Sequence, residues 1–165
     1  MRFEAGERRG GPKGQVRCAP VAGNAMSDCT WSLHPQLQAD TLPVGDLPLS
    51  RLLAINDANY PWLILVPRRT GVTEIEQLGE EGALLMGEIT RVSRVLKAVT
   101  ACDKINIAAI GNVVPQLHVH IVARRHDDPL WPRPIWGFAP PRPGDAAAFT
   151  RFVAAVRREL GIAIP

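Results

Sequence analysis

A chain of 165 residues that is 46% hydrophobic and 21% charged is long enough to bury one core and lies in the ordinary globular range, which excludes a fibrous or wholly disordered polymer. No apolar run reaches the ~20 residues that a membrane-spanning helix needs, so no membrane partner is expected. The formal charge of +3 is confined to residues 1–25, where five basic residues face two acidic ones, leaving fourteen of each sign in the remainder and arguing against long nucleic acid as a partner.

Residues 1–25 combine Gly, Arg and small residues without apolar periodicity, and are expected to form a disordered basic tail ahead of a single domain over residues 26–165. Met26 follows at once and suggests a translation start there, the alternative being a short basic arm. The tail lacks the apolar core of a secretory signal. Cys18, Cys29 and Cys102, odd in number and without a C-x-x-C pair, fit reduced thiols, so a cytoplasmic location is expected.

From Trp31 the chain becomes periodic. His34 and Pro35 open a lead-in, and residues 43–48 read as a turn before a strand at 50–55. The polar run 56–60 is a second turn, and 62–66 is a continuous apolar strand, so the two strands form an antiparallel hairpin whose second member is central in a sheet. Thr73 and Glu76 have capping-box spacing for a short helix. Residues 80–100 carry Leu84, Leu85, Ile89, Val92, Val95, Leu96 and Val99 at helical spacing, with Arg91, Arg94 and Lys97 toward solvent. Residues 105–110 and 116–123 are β-prone, and Gly111, Asn112 and Pro115 between them mark a second hairpin. The prolines between 129 and 143 rule out regular structure through Gly144. A C-terminal helix then runs to Leu160, capped by Asp145 and closed by Gly161. The sum is an α+β fold: an antiparallel sheet packed with one long helix and a C-terminal helix.

The chemistry concentrates in the run from Gln116 to Val122. In a strand, Gln116, His118 and His120 share one face while Leu117, Val119 and Ile121 take the other. Burying such polar groups without partners costs roughly 1–3 kcal/mol each, so a row of three points to a ligand. Geometry leaves two chemistries open, a metal held by neutral imidazoles or a histidine nucleophile acting on a phosphate.

This run resembles the active-site strand of the histidine triad (HIT) family, which alternates His with apolar residues, except that Gln116 stands where the first His would. The apolar segment ending in Pro67, Arg68 and Arg69, and the later Trp131-Pro132, are also similar to family elements. The resemblance implies a HIT-like fold, usually a homodimer, and a nucleotide hydrolase or nucleotidyltransferase that cleaves a phosphoanhydride or phosphoramidate, such as a dinucleoside polyphosphate, through a nucleotidyl-histidine without a metal cofactor. His118 would be the nucleophile and His120 a hydrogen-bond donor to the phosphate or leaving group. Gln116 can orient but cannot carry a proton. Asp57 and its neighbour Asn56 are implied for the ribose and Asn112 for the phosphates, and Asn106, on the strand beside the motif, is a further candidate for nucleotide binding. Trp62 replaces a further family His, Arg124, Arg125 and His126 offer charge beyond the motif, and Trp131 and Trp136 offer aromatic cover. A nucleotide-binding module with weak catalysis, and a metal-dependent hydrolase drawing on His34 or His126, are the alternatives.

Overall fold

The computed structural model describes residues 31–138 and 142–162. The basic tail, Met26, Cys18 and Cys29 lie outside the described residues. Helix α1 (Pro35–Asp40) is followed by β1 (Leu42–Asp46), β2 (Ser50–Ile55), β3 (Trp62–Pro67), a 3-10 turn (Ile75–Leu78), α2 (Glu81–Thr100), β4 (Lys104–Ala108), β5 (Val119–Arg124) and α3 (Ala146–Leu160). The strands form one antiparallel sheet in the order β1-β2-β3-β5-β4, with β3 at its centre.

That position explains why every residue of β3 is buried and why the strand is apolar throughout. Its side chains divide between two cores. Leu63 and Leu65, with Leu52, Ala54, Val119 and Ile121, meet the stripe Leu85, Ile89, Val92 and Leu96 of α2 and the Val153, Val156, Leu160 face of α3. Trp62, Ile64 and Val66, with Leu53 and Val122, face the other way, under Leu37 of α1 and Ile135 of the Pro-rich segment. A dry core thus backs the sheet on one face, while loops and α1 cover much of the other and leave room for a site.

The helices end as their sequences dictate. Asp145 accepts from the Ala148 N–H at 2.6 Å to cap α3, and Gly161 closes it at φ +63°. Several expectations need correction. Residues 42–46 form a strand rather than a turn, and the lead-in contains α1. The capping pair of the 3-10 turn is Glu74 with Gln77, not Thr73 with Glu76. Leu84 is 43% exposed and lies off the core stripe, whereas Glu88 is buried, its Oε1 accepting from the Leu49 N–H at 2.7 Å. No regular element occurs in the described residues between β5 and α3.

Among the described residues no helix is long and apolar enough to cross a membrane.

Candidate active site

β5 continues the line of His118 into His120 on the loop-covered face, and the residue before the pair is pinned by a bond from the Leu117 N–H to the Val72 carbonyl, 3.0 Å. His118 is buried, and its Nδ1 lies 2.7 Å from the Gln116 carbonyl oxygen. A carbonyl only accepts, so Nδ1 carries the proton and Nε2 keeps its lone pair. His120 is held in the opposite sense. The Trp62 indole N–H donates to its Nδ1 at 3.1 Å, across the β3–β5 pair, so the proton of neutral His120 sits on Nε2. The rings lie edge to face with centroids 4.9 Å apart. The pair therefore presents one nitrogen lone pair and one N–H.

Burial, and then the proximity of His118, lower the His120 pKa to about 4. His120 is therefore uncharged near neutral pH. Both imidazoles line a hollow of about 460 Å3 whose other walls are the turn 110–114, including Asn112, and Trp136 with Gly137. Gly111 turns there at φ +66°, a conformation that suits glycine. The Trp136 ring stands 6.0 Å from that of His120, and its Nε1 is buried without a hydrogen-bond partner among the described residues. Among the described residues the lining includes no lysine or arginine.

Of the four polar residues expected around a nucleotide, Asn112 lines this hollow. Asp57 lines a smaller one of about 110 Å3 with Trp62 and Ile135, and its Oδ1 accepts from the backbone and side-chain N–H groups of Asn59 at 2.8 and 3.1 Å. Asn56 accepts from the Gly144 N–H at 3.2 Å and so ties the β2–β3 turn to the start of α3. Asn106 accepts from Arg124 at 2.7 Å. A largely apolar hollow of about 300 Å3 between that turn and α3 includes Asn56 and Asp57 but neither histidine of the pair.

Gln116 does not extend the histidine row into the hollow. Its Oε1 accepts from the His34 N–H and its Nε2 donates to the Ser32 carbonyl, both at 2.9 Å. The amide is occupied in holding the lead-in segment, and only its main-chain carbonyl serves His118. Arg124 is likewise no polyphosphate ligand: it is 1% exposed and bonds Asp128 through two nitrogens at 2.6 and 2.9 Å. Arg125 and His126 are exposed, His126 facing Asp103 at 3.1 Å. Trp131 packs its ring against His126 at 4.6 Å and lies near Arg124. Among the described residues no three His, Cys, Asp or Glu side chains gather as a metal site; the His34 Nδ1 accepts from the Gln36 N–H.

The residue that sequence reasoning undervalued is Trp62. Its face is predictable from strand alternation, because it pairs with Val122 and leans diagonally to His120, but the bond to a specific ring nitrogen has no sequence signal.

Comparison with known proteins bears on the fold and the family. The HIT domain family profile matches residues 36–127. A histidine triad protein from Bradyrhizobium japonicum is 59% identical, the match covering 79% of this chain and 98% of that one with a TM-score of 0.76. Histidine triad proteins from Sinorhizobium meliloti and Marinobacter aquaeolei are 41% and 39% identical, covering 79% and 80% of this chain and 97% of each of theirs, both with TM-scores of 0.76. No curated protein matches the sequence. The two-histidine hollow, the five-stranded sheet and these matches place the chain in the HIT family.

Proposed function

We propose that the protein is a nucleotide hydrolase or nucleotidyltransferase in which His118 attacks the α-phosphorus of a nucleoside phosphoanhydride or phosphoramidate. The observation that carries this reading is the tautomer of His118. With Nδ1–H committed to the Gln116 carbonyl, Nε2 offers a lone pair beside a hollow large enough for a phosphoryl group and part of its nucleoside. An N–P bond forms as the bond to the leaving group breaks, and the leaving group departs with the electron pair. Water or another acceptor then attacks phosphorus, the N–P bond breaks, and the proton of attacking water passes to solvent. The Nε2–H of His120 donates to the phosphoryl oxygens, where negative charge grows. Asn112 is the side chain proposed for the phosphates. Asp57, in the hollow bounded by Trp62, is proposed for the ribose hydroxyls.

The proposal extends to a cytoplasmic homodimer. The outer edge of β4, at the end of the sheet, and the exposed Ile107 on it are the surface proposed for pairing with a second copy.

The test is nucleotide release from a panel of adenosine and guanosine phosphoramidates and dinucleoside polyphosphates, with chelator present, by the wild type and by His118→Ala. Chelator-resistant turnover with a trapped nucleotidyl adduct, both lost in His118→Ala, is the expected result. A second reading, a nucleotide-binding module, is favoured by one observation: the Gln116 amide is spent on Ser32 and His34 and supplies no acid. Tight nucleotide binding with no adduct and no turnover would select it.

A further inference from the structure

The bond between Trp62 and His120 bears on which leaving groups the proposed reaction can expel. Resting on the nucleotidyl-transfer reading, we propose that Trp62 is a positioning residue that fixes His120 as an uncharged Nε2–H donor, so that the site expels weakly basic, phosphate-like leaving groups and discriminates against amines.

The argument starts from what each nitrogen can do. An indole N–H has no acceptor capacity, so it holds the His120 Nδ1 as an acceptor. Charging His120 would place a second N–H against it, and the bond would be lost. Burial among its neighbours and then His118 disfavour the charged form of His120. On its own strand stands His118, opposite it on β3 is Ile64, opposite it on β4 is Ala108, and Trp136 closes the loop side. Asn112 is the polar side chain of the facing turn, and among the described residues no carboxylate lines the hollow to favour an imidazolium. The low His120 pKa follows from this burial.

An uncharged imidazole that gives away its Nε2 proton becomes an imidazolate, far too basic to form here. His120 can therefore offer a hydrogen bond but not a proton. His118 has its Nδ1–H committed to a carbonyl and its Nε2 in the forming bond, and Gln116 is an amide turned toward Ser32 and His34. When the P–O bond breaks, the departing oxygen must keep its electron pair without taking up a proton from His120, His118 or Gln116. A phosphate oxygen of a phosphoanhydride does so readily; an amine nitrogen has to be protonated first, and among the described residues no lining group supplies that proton. The two substrate classes thus separate on leaving-group basicity, not on nucleoside contacts.

The experiment measures single-turnover formation of the His118 adduct from aryl esters of adenosine and guanosine 5′-monophosphate, graded in phenol acidity, with matched alkyl phosphoramidates. For the wild type the rate is expected to fall by about tenfold for each unit rise in leaving-group pKa, the limit for departure without proton transfer, and amidates to be the slowest. Trp62→Phe should free the His120 Nδ1 to take a proton, so that the slope flattens and a limb that falls as pH rises, the mark of a proton donor, appears at higher pH than in the wild type, burial and His118 still holding the imidazole below its free value. Nitrogen-15 spectra of the imidazoles give an independent reading, with His120 expected to remain in the Nε2–H form from pH 5 to 8 in the wild type.

A shallow wild-type slope, or amidates turning over as fast as the activated esters, would overturn the inference while an adduct on His118 left the nucleotidyl reading standing. No adduct with any ester would remove that reading and the inference with it. If Trp62→Phe does not fold, the wild-type slope and the imidazole spectra decide the matter alone.

Discussion

Gln116 holds the main chain of His34, its Oε1 accepting from that N–H at 2.9 Å while its Nε2 donates to the Ser32 carbonyl at the same distance. One side chain thus clamps both polar groups of a lead-in whose Trp31 and Leu33 pack on the loop-covered face of the sheet. The main chain of the same residue sets the His118 tautomer. Gln116→Ala should cost about 1–3 kcal/mol of stability by leaving partly buried groups unpaired, and should lower turnover more than it weakens nucleotide binding, because the nucleophile is what shifts. Gln116→Glu is a sharper variant. At neutral pH its carboxylate would face the Ser32 carbonyl, and protonation would restore the missing donor. The folded-state pKa of that carboxyl is then raised, so the variant should recover stability relative to the wild type as pH falls toward 4 and lose it as pH rises. Urea denaturation of variant and wild type at pH 4.5 and pH 7.5 checks the sign of the difference.

His120 makes the stability of the protein itself depend on pH. Its pKa is about 4 in the folded state, because of burial and then of His118, against about 6.5 for a free imidazole. Between those values the unfolded chain binds the proton and the folded one does not, so stability falls as pH drops from about 6.5 to about 4 and rises in the other direction. The span is of the order of 2 kcal/mol after allowance for partial solvent contact. His120→Gln should remove most of that slope, measured as unfolding free energy against pH. His120→Ala, which removes the donor that a glutamine amide would keep, should lower the adduct-forming rate by about 100-fold or more, the usual cost of losing a donor aimed at developing charge.

Arg124 and Asp128 form the most deeply buried ion pair described, with side chains 1% and 4% exposed. Asn106 takes another guanidinium nitrogen, and the rings of Tyr60 and Trp131 stand 5.5 and 5.8 Å from its centre. The pair fastens the end of β5 to the loop that carries Trp136. Asp128→Asn strands a buried guanidinium and should cost about 3–5 kcal/mol, whereas replacing both partners with apolar residues of similar volume should cost much less. Burial alone would raise the Asp128 pKa, but bonds from Arg124 and from the Leu130 N–H hold it below the usual range. Its contribution is therefore complete above the unfolded carboxylate value and is lost as pH falls below about 4. Thermal unfolding of the single and double variants separates the two costs.

The strand and helix content was legible because apolar periodicity is a direct imprint of burial. The central strand is apolar on both faces, and α2 repeats its stripe at 3.6 residues. β1 escaped notice because Pro43 and Gly45 are poor strand formers, and the register slips between them; an edge strand tolerates both. α1 is a single short turn pair with Leu37 its one buried residue, too little for a periodic signal. Glu88 reads as a surface residue until the turn at Leu49 and Ser50 is seen to need an acceptor. For the site, strand alternation correctly brings His118 and His120 to one face. It does not say where a long amide points, and Gln116 precedes the first residue of the β5 ladder, so it was free to turn toward the lead-in. The ring nitrogens each histidine offers depend on a contact from a residue 58 positions away or on a neighbouring carbonyl, and no spacing rule encodes them.

Trp136 closes the hollow from the loop side, its ring 6.0 Å from His120 and its Nε1 buried without a partner among the described residues. An aromatic wall beside a histidine pair suits the flat face of a nucleobase or the edge of a ribose. A ligand acceptor reaching Nε1 would also satisfy a donor whose burial is otherwise unfavourable. Trp136→Phe keeps the ring area and removes the donor, and should weaken nucleotide binding by about 1 kcal/mol, roughly five-fold in Kd, with little change in the rate of adduct formation. Trp136→Ala removes the wall as well and should weaken binding by about 2 kcal/mol or more. Calorimetric titration of His118→Ala carrying each substitution isolates binding from turnover. Equal affinities for all three proteins would mean that the indole closes the hollow without touching the nucleotide, and the wall would then have to be assigned to the turn that carries Asn112.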